Sequence, residues 1–182
     1  MEHDCTYTLR EPVLFVGFMG AGKTSLARRI ARDLGLTSVD ADTFFSRRIG
    51  MPAGAFIAEY GEAAFREQET AVLTELLDRE PAFISCGGGI VERPENLEVL
   101  RSRFVVYLRT TADESRQRIT NMKNRPLFGD IEAARELAGR RAPLYEAVAD
   151  VTIDTAGLSV AALAAKVEPV LVERGVVCRR QE

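Results

Sequence analysis

The stretch Gly17-Phe18-Met19-Gly20-Ala21-Gly22-Lys23-Thr24 matches the spacing G-x-x-x-x-G-K-[ST]. Glycines at these positions let successive backbone N–H groups turn toward phosphate oxygens. A helix opening near Lys23 would add its positive end to the same cradle. Lys23 can then reach the β- and γ-phosphates of a nucleotide, and the Thr24 hydroxyl can ligate magnesium. Gly20, Ala21, Gly22, Lys23, Thr24 and Ser25 are the expected phosphate contacts. A chance glycine-rich turn is the competing explanation, and the strand-before, helix-after setting counts against it.

Magnesium chemistry of this kind usually needs an acid at the end of a neighbouring apolar strand. The apolar runs at 82–86 and 104–108 end in Cys-Gly and Leu-Arg, so neither supplies one. Asp40, in Val39-Asp40-Ala41-Asp42, does. Alternation along an extended chain would put Asp40 and Asp42 on one side, one for the metal's water shell and one for a substrate hydroxyl. The alternative is a polar helix cap at Asp42, ahead of Thr43-Phe44-Phe45.

Gly87-Gly88-Gly89 follows a buried run, and three glycines are costly to order. Either the segment is a flexible loop, or a ligand approaches bare backbone there. Arg66 lies four residues after Glu62 and three before Glu69. That spacing fits a surface ion-pair ladder or a guanidinium held for a substrate carboxylate, and spacing alone leaves both open. Arg118, Arg125, Arg140 and Arg141 fall in or beside the most polar and least periodic segment, 119–140, a candidate mobile lid in which Arg125 could close over phosphate. His3, the only histidine, sits in the tail, which argues against histidine-based catalysis. Cys86 is read as a small buried hydrophobe without chemistry.

The elements that must position these groups alternate in type. Val13–Val16 is a short apolar run bounded by Pro12 and Gly17, the pattern of a buried parallel strand. Leu26, Ile30 and Leu34 then recur at helical spacing until Gly35. Val39-Asp40, Ala82–Cys86, Phe104–Leu108 and Val151–Ile153 are further strand candidates, and 61–79 reads as a long helix. Shorter helices are expected near 94–101, 113–122, 131–148 and 158–173. Alternating strands and helices predict a three-layer α/β/α domain around a five-stranded parallel sheet, with ligands beyond the carboxyl ends of the strands.

The 182 residues fit one domain spanning 1–182, 46% hydrophobic and 28% charged. A net charge of −3 provides no global positive field for nucleic acid or anionic lipid. Three cysteines without paired or metal-ligand spacing fit a reducing compartment. The first residues lack the layout of a signal peptide, and the most apolar stretch is far short of a membrane span, so a cytoplasmic protein is expected.

Taken in order, these residues resemble the shikimate kinase family. The likeness runs through the P-loop, Asp40-Ala41-Asp42, Gly61-Glu62 with Phe65-Arg66 and Glu69, Gly87-Gly88-Gly89, Arg125-Pro126-Leu127, and Arg141-Ala142-Pro143-Leu144-Tyr145. It covers roughly residues 12–155. The resemblance implies a nucleoside-monophosphate-kinase-like fold and MgATP-dependent phosphorylation of the shikimate 3-hydroxyl, a step toward chorismate and the aromatic amino acids. It further implies that Asp42 holds the attacking hydroxyl and that Arg66 and Arg141 bind the substrate carboxylate. Gly88 and Gly89 would lie near the ring hydroxyls, and Lys23 and Arg125 would bind the transferring phosphate. Thr24 would ligate magnesium directly and Asp40 through water, while Arg118 would lie against adenine. A substrate-binding helical segment at about 43–70 and a monomeric state are expected. Phe56-Ile57 stands where the family often has Ile-Phe, which moves the aromatic ring about 100° around a helix.

Two other classes compete. A P-loop kinase for gluconate or a nucleotide is disfavoured by the paired arginines aimed at a carboxylate, together with Asp42 and the triple glycine. A nucleotide switch of the GTPase type would need Asn-Lys-x-Asp, which does not occur.

Overall fold

The computed structural model describes residues 7–118 and 129–180. Val13–Val16 forms β2, with all four residues buried. It is the central strand of a five-stranded parallel sheet, flanked by β4 (Phe83–Ser85) and β5 (Phe104–Arg109). β3 (Ser38–Asp40) and β6 (Val151–Asp154) are the two edges.

Alternation along β2 builds two cores. Val13 and Phe15 pack with Leu26 and Ile30 of α1 (Lys23–Leu34) and with Leu163 and Val167 of α7 (Val160–Glu173). Leu14 and Val16 face the opposite layer. There they meet Phe65 and Leu73 of α3 (Ala53–Leu77), Leu100 of α4 (Pro94–Arg101) and Tyr145 of α6 (Ile131–Glu146). Helices therefore cover both faces, as the near-continuous apolar strands require.

The helix expected over 61–79 is the second half of α3, which begins at Ala53 and bends at Gly61 (φ 86°). An aromatic cluster secures the first half. Phe45 of α2 (Ala41–Ile49) meets Phe56 at 5.5 Å and Phe65 at 5.2 Å, and Phe56 meets Tyr60 at 4.7 Å. Phe56 thus faces the core, while Ile57 is exposed.

β1 (Tyr7–Leu9) and β7 (Val177–Arg179) form a separate antiparallel pair that the sequence pattern did not signal. Three-residue strands near the two ends of the chain carry no readable period; their partner defines them. α5 (Ala112–Arg118) starts the expected helix at 113–122, and the rest of that helix lies outside the described residues. Of the expected lid, 119–128 likewise lies outside them, and 131–140 is the first part of α6, tied to α5 by the Arg135–Asp113 ion pair. Among the described residues no helix is long and apolar enough to cross a membrane.

Candidate active site

The site begins where β2 ends. Gly22 (φ 96°) caps α1, and a Cβ on Gly17 would collide with the backbone carbonyl oxygen of Leu108 on the neighbouring strand. Lys23 is buried, and its Nζ donates to the carbonyl oxygens of Gly17 (2.8 Å) and Phe18 (3.0 Å). The ammonium is thereby held across the loop it belongs to. Ala21 is buried as well, its N–H closing the turn on the Phe18 carbonyl at 3.2 Å.

Two strand ends and the start of α1 bring hydroxyls and a carboxylate together. Thr24 Oγ1 donates to Asp40 Oδ2 at 2.6 Å and lies 2.9 Å from Ser85 Oγ. Asp40 also caps α2, accepting from the Thr43 N–H (2.8 Å) and hydroxyl (2.9 Å). Burial pushes the Asp40 carboxyl up, but the Thr24 and Thr43 hydrogen bonds outweigh it and leave the group below the usual aspartate range. It is ionised at neutral pH. The extended chain ends at Asp40, so the expected alternation does not carry on to Asp42, and the cap is Asp40 instead of Asp42. Asp42 lies in the first turn of α2 and still faces the same space. One cavity of about 440 Å³ is lined by Lys23, Thr24, Asp40, Asp42, Gly88 and Arg118 among others. Gly20, Gly22 and Ser25 share that lining, and Ala21 does not.

Beyond Gly88 stands a second cluster. Arg66 Nη1 bonds Glu69 at 2.8 Å, and Nη2 bonds both Glu62 and Glu92 at 2.9 Å. Arg141 Nε bonds the other oxygen of Glu92 at 3.0 Å. Burial disfavours the Arg66 charge, yet Glu69, Glu92 and Glu62 raise its pKa above the ordinary arginine value. Burial pushes the Glu69 carboxyl up, Arg66 opposes that, and Asp42 adds to it.

The triple glycine makes room for this cluster. A Cβ on Gly89 would land on the Arg66 guanidinium, and one on Gly87 would land on the Glu69 carboxylate, with Asp42 Oδ1 3.3 Å away. The Tyr145 hydroxyl donates to the Gly88 carbonyl, and Asn96 Nδ2 holds the Ile90 carbonyl at 2.9 Å. This loop is braced, not loose.

The model of the family described as Shikimate kinase matches residues 19–171. The chain belongs to the shikimate kinase family. It is 42% identical over 164 residues to the shikimate kinase of Cupriavidus pinatubonensis, covering 86% of this chain and 84% of that protein. It is 38% identical over 164 residues to the shikimate kinase of Bordetella pertussis, covering 88% of this chain and 78% of that one. A solved shikimate kinase from Acinetobacter baumannii, in complex with shikimate, superposes with a TM-score of 0.85 at 36% identity, covering 90% of this chain and 94% of the other.

In this member of the shikimate kinase family, many of the residues singled out by sequence adjoin one cavity. Lys23, Thr24, Asp40, Asp42 and Arg118 line the cavity, and Arg66 and Arg141 stand behind Gly88 and Gly89. Arg118 is fixed by Thr155, donating to its hydroxyl at 2.7 Å and to its carbonyl. Arg140 points elsewhere, pairing with Glu136 on an exposed face. Arg125 lies outside the described residues. Sequence reasoning missed Ser85, Glu92 and Thr155, and it named Tyr145 in a motif without giving it a role. Ser85 had a signal, a hydroxyl at the end of an apolar run; the others are joined to the site only by tertiary contact.

Proposed function

We infer that this chain transfers the γ-phosphoryl group of ATP to the 3-hydroxyl of shikimate, giving ADP and shikimate 3-phosphate. The observation that carries this is the placement of Asp42 and Lys23 in one cavity, with the Arg66–Arg141 pair against its glycine wall. Nucleotide phosphates would lie on the loop from Gly20 to Ser25, and adenine toward Arg118. The substrate carboxylate would meet Arg66 and Arg141, which leaves a ring hydroxyl facing Asp42. Asp42 orients that hydroxyl and accepts its proton as the O–P bond forms.

Alignment of two substrates can remove roughly 7–11 kcal/mol of barrier. A base contributes only about 10²–10⁴-fold. Positioning by Lys23 and by Arg125, whose lid role rests on the resemblance, is accordingly assigned the larger share.

The donor set fits magnesium: the Thr24 hydroxyl, the ionised Asp40 and nearby Ser85 are hard oxygen groups. Among the described residues no cluster of three or more His, Cys, Asp or Glu could hold a metal alone. A site that shares the ion with nucleotide phosphates and water is the fitting kind. Bound there, the ion would neutralise charge on the β- and γ-phosphates. The site draws on one chain, so a monomer suffices, and a reducing cytoplasm suits its free Cys86 and Cys178. ADP release measured with and without shikimate, ATP and magnesium being present, tests the reading: release must require shikimate, and release independent of any acceptor refutes it.

A further inference from the structure

Both oxygens of Glu92 are spoken for, and by different arginines. Oε2 lies 2.9 Å from Arg66 Nη2, and Oε1 lies 3.0 Å from Arg141 Nε. One carboxylate therefore bridges the two guanidiniums that the proposed function assigns to the carboxylate of the ring acid.

Arg66 has little left to offer while this bridge holds. Nη2 already serves Glu62 and Glu92, Nη1 serves Glu69, and Nε is buried without a hydrogen-bond partner. A parallel two-bond grip on an incoming carboxylate needs one of these partners to leave. Charge points the same way: two guanidiniums face three carboxylates, so a fourth carboxylate enters against a negative surplus.

The three partners differ in freedom. The Glu69 side chain is 7% exposed and wedged against Gly87. Glu62 touches Arg66 but not Arg141. The Glu92 side chain is 31% exposed at the end of the short 3-10 turn Ile90–Glu92, and it touches both arginines. It can rotate into water.

We propose that Glu92 is a resident stand-in for the substrate carboxylate, bridging Arg66 and Arg141 until the ring acid displaces it, and so sets the affinity for shikimate. This rests on the proposed function. If the displaced form holds one-tenth to one-third of the molecules, apparent affinity is lowered about three- to tenfold.

The test compares wild type with Glu92→Gln at saturating ATP. The expected result is a KM for shikimate about three- to tenfold lower in the variant, since the amide cannot neutralise two guanidiniums, with kcat and KM for ATP near the wild-type values. Glu92→Ala gives the same sign, and it serves if the amide variant misfolds. A shikimate analogue with a primary alcohol in place of the carboxylate should inhibit both proteins equally, because it has no charge to exchange with Glu92. An unchanged or higher KM for shikimate, or an equal gain for the alcohol analogue, overturns the proposal and leaves the kinase reading standing. Wild type that releases no ADP in response to shikimate ends both.

Discussion

Thr24 and Asp40 are joined by a 2.6 Å hydrogen bond across sixteen positions of sequence, the threonine hydroxyl donating. Giving its proton to Asp40 makes Ser85 the donor in the 2.9 Å contact with Thr24, and one lone pair of the threonine oxygen stays available to a cation. The same aspartate accepts from the N–H and hydroxyl of Thr43, so helix capping and site assembly share one side chain. Asp40→Asn keeps a good cap but removes the charge. Its magnesium requirement should rise, or its activity fall, by about 10–100-fold. A magnesium titration of kcat identical to wild type would remove Asp40 from any metal role.

Asp40 also sets a pH dependence. Its folded-state pKa lies below the ordinary aspartate value, because the Thr24 and Thr43 hydrogen bonds outweigh the effect of burial. The unfolded chain thus binds more protons in the acid range, and the stability due to this group, complete above about pH 4, drains away as pH falls below it. Urea unfolding from pH 3 to 6 should show a shallower acid loss in Asp40→Asn than in wild type. The Glu69 carboxyl, shifted upward by burial, contributes the opposite slope, but to both proteins alike. Equal acid slopes would contradict this account.

Asp42 lines the cavity with Lys23 and is the carboxylate assigned to the acceptor hydroxyl. Asp42→Asn should lower kcat by about 10²–10⁴-fold, with a far smaller change in KM for ATP. Turnover with shikimate near the wild-type rate would show that the hydroxyl is oriented by something else.

Arg66 and Gly89 should behave as one unit. Arg66→Lys replaces a planar fork by a point charge that cannot serve Glu69, Glu62 and a substrate together, so KM for shikimate should rise about tenfold or more. Gly89→Ala places a methyl where the guanidinium lies and should raise the same constant while lowering the melting temperature. If either variant changes KM for ATP more than KM for shikimate, the carboxylate assignment is wrong.

Cys86 is buried beside the site, and burial, with help from Glu69, pushes its thiol up to about 12. Thiolate is scarce at neutral pH, and the residue is only 3% exposed although it lines the cavity. Iodoacetamide followed by peptide mapping should leave Cys86 unlabelled in native protein and label it after denaturation. Rapid native labelling with loss of activity would give this thiol a role it lacks here.

Much of this protein was legible along the chain. The glycine pattern around Lys23, the apolar runs at 13–16 and 104–108, and the stop at Gly35 are local signals, because backbone freedom, strand burial and helix ends are decided within a few residues. Asp40, Asp42 and Arg66 could likewise be singled out by type and spacing. What the spacing left open was whether Arg66 is a surface ladder or a braced site, and why three glycines follow β4. Those answers lie between segments far apart in sequence: Glu92 links Arg66 to Arg141, and the bare Cα of Gly89 receives the Arg66 guanidinium. Such contacts depend on how layers stack over the sheet. They arise only once α3, α6 and the glycine loop are packed together.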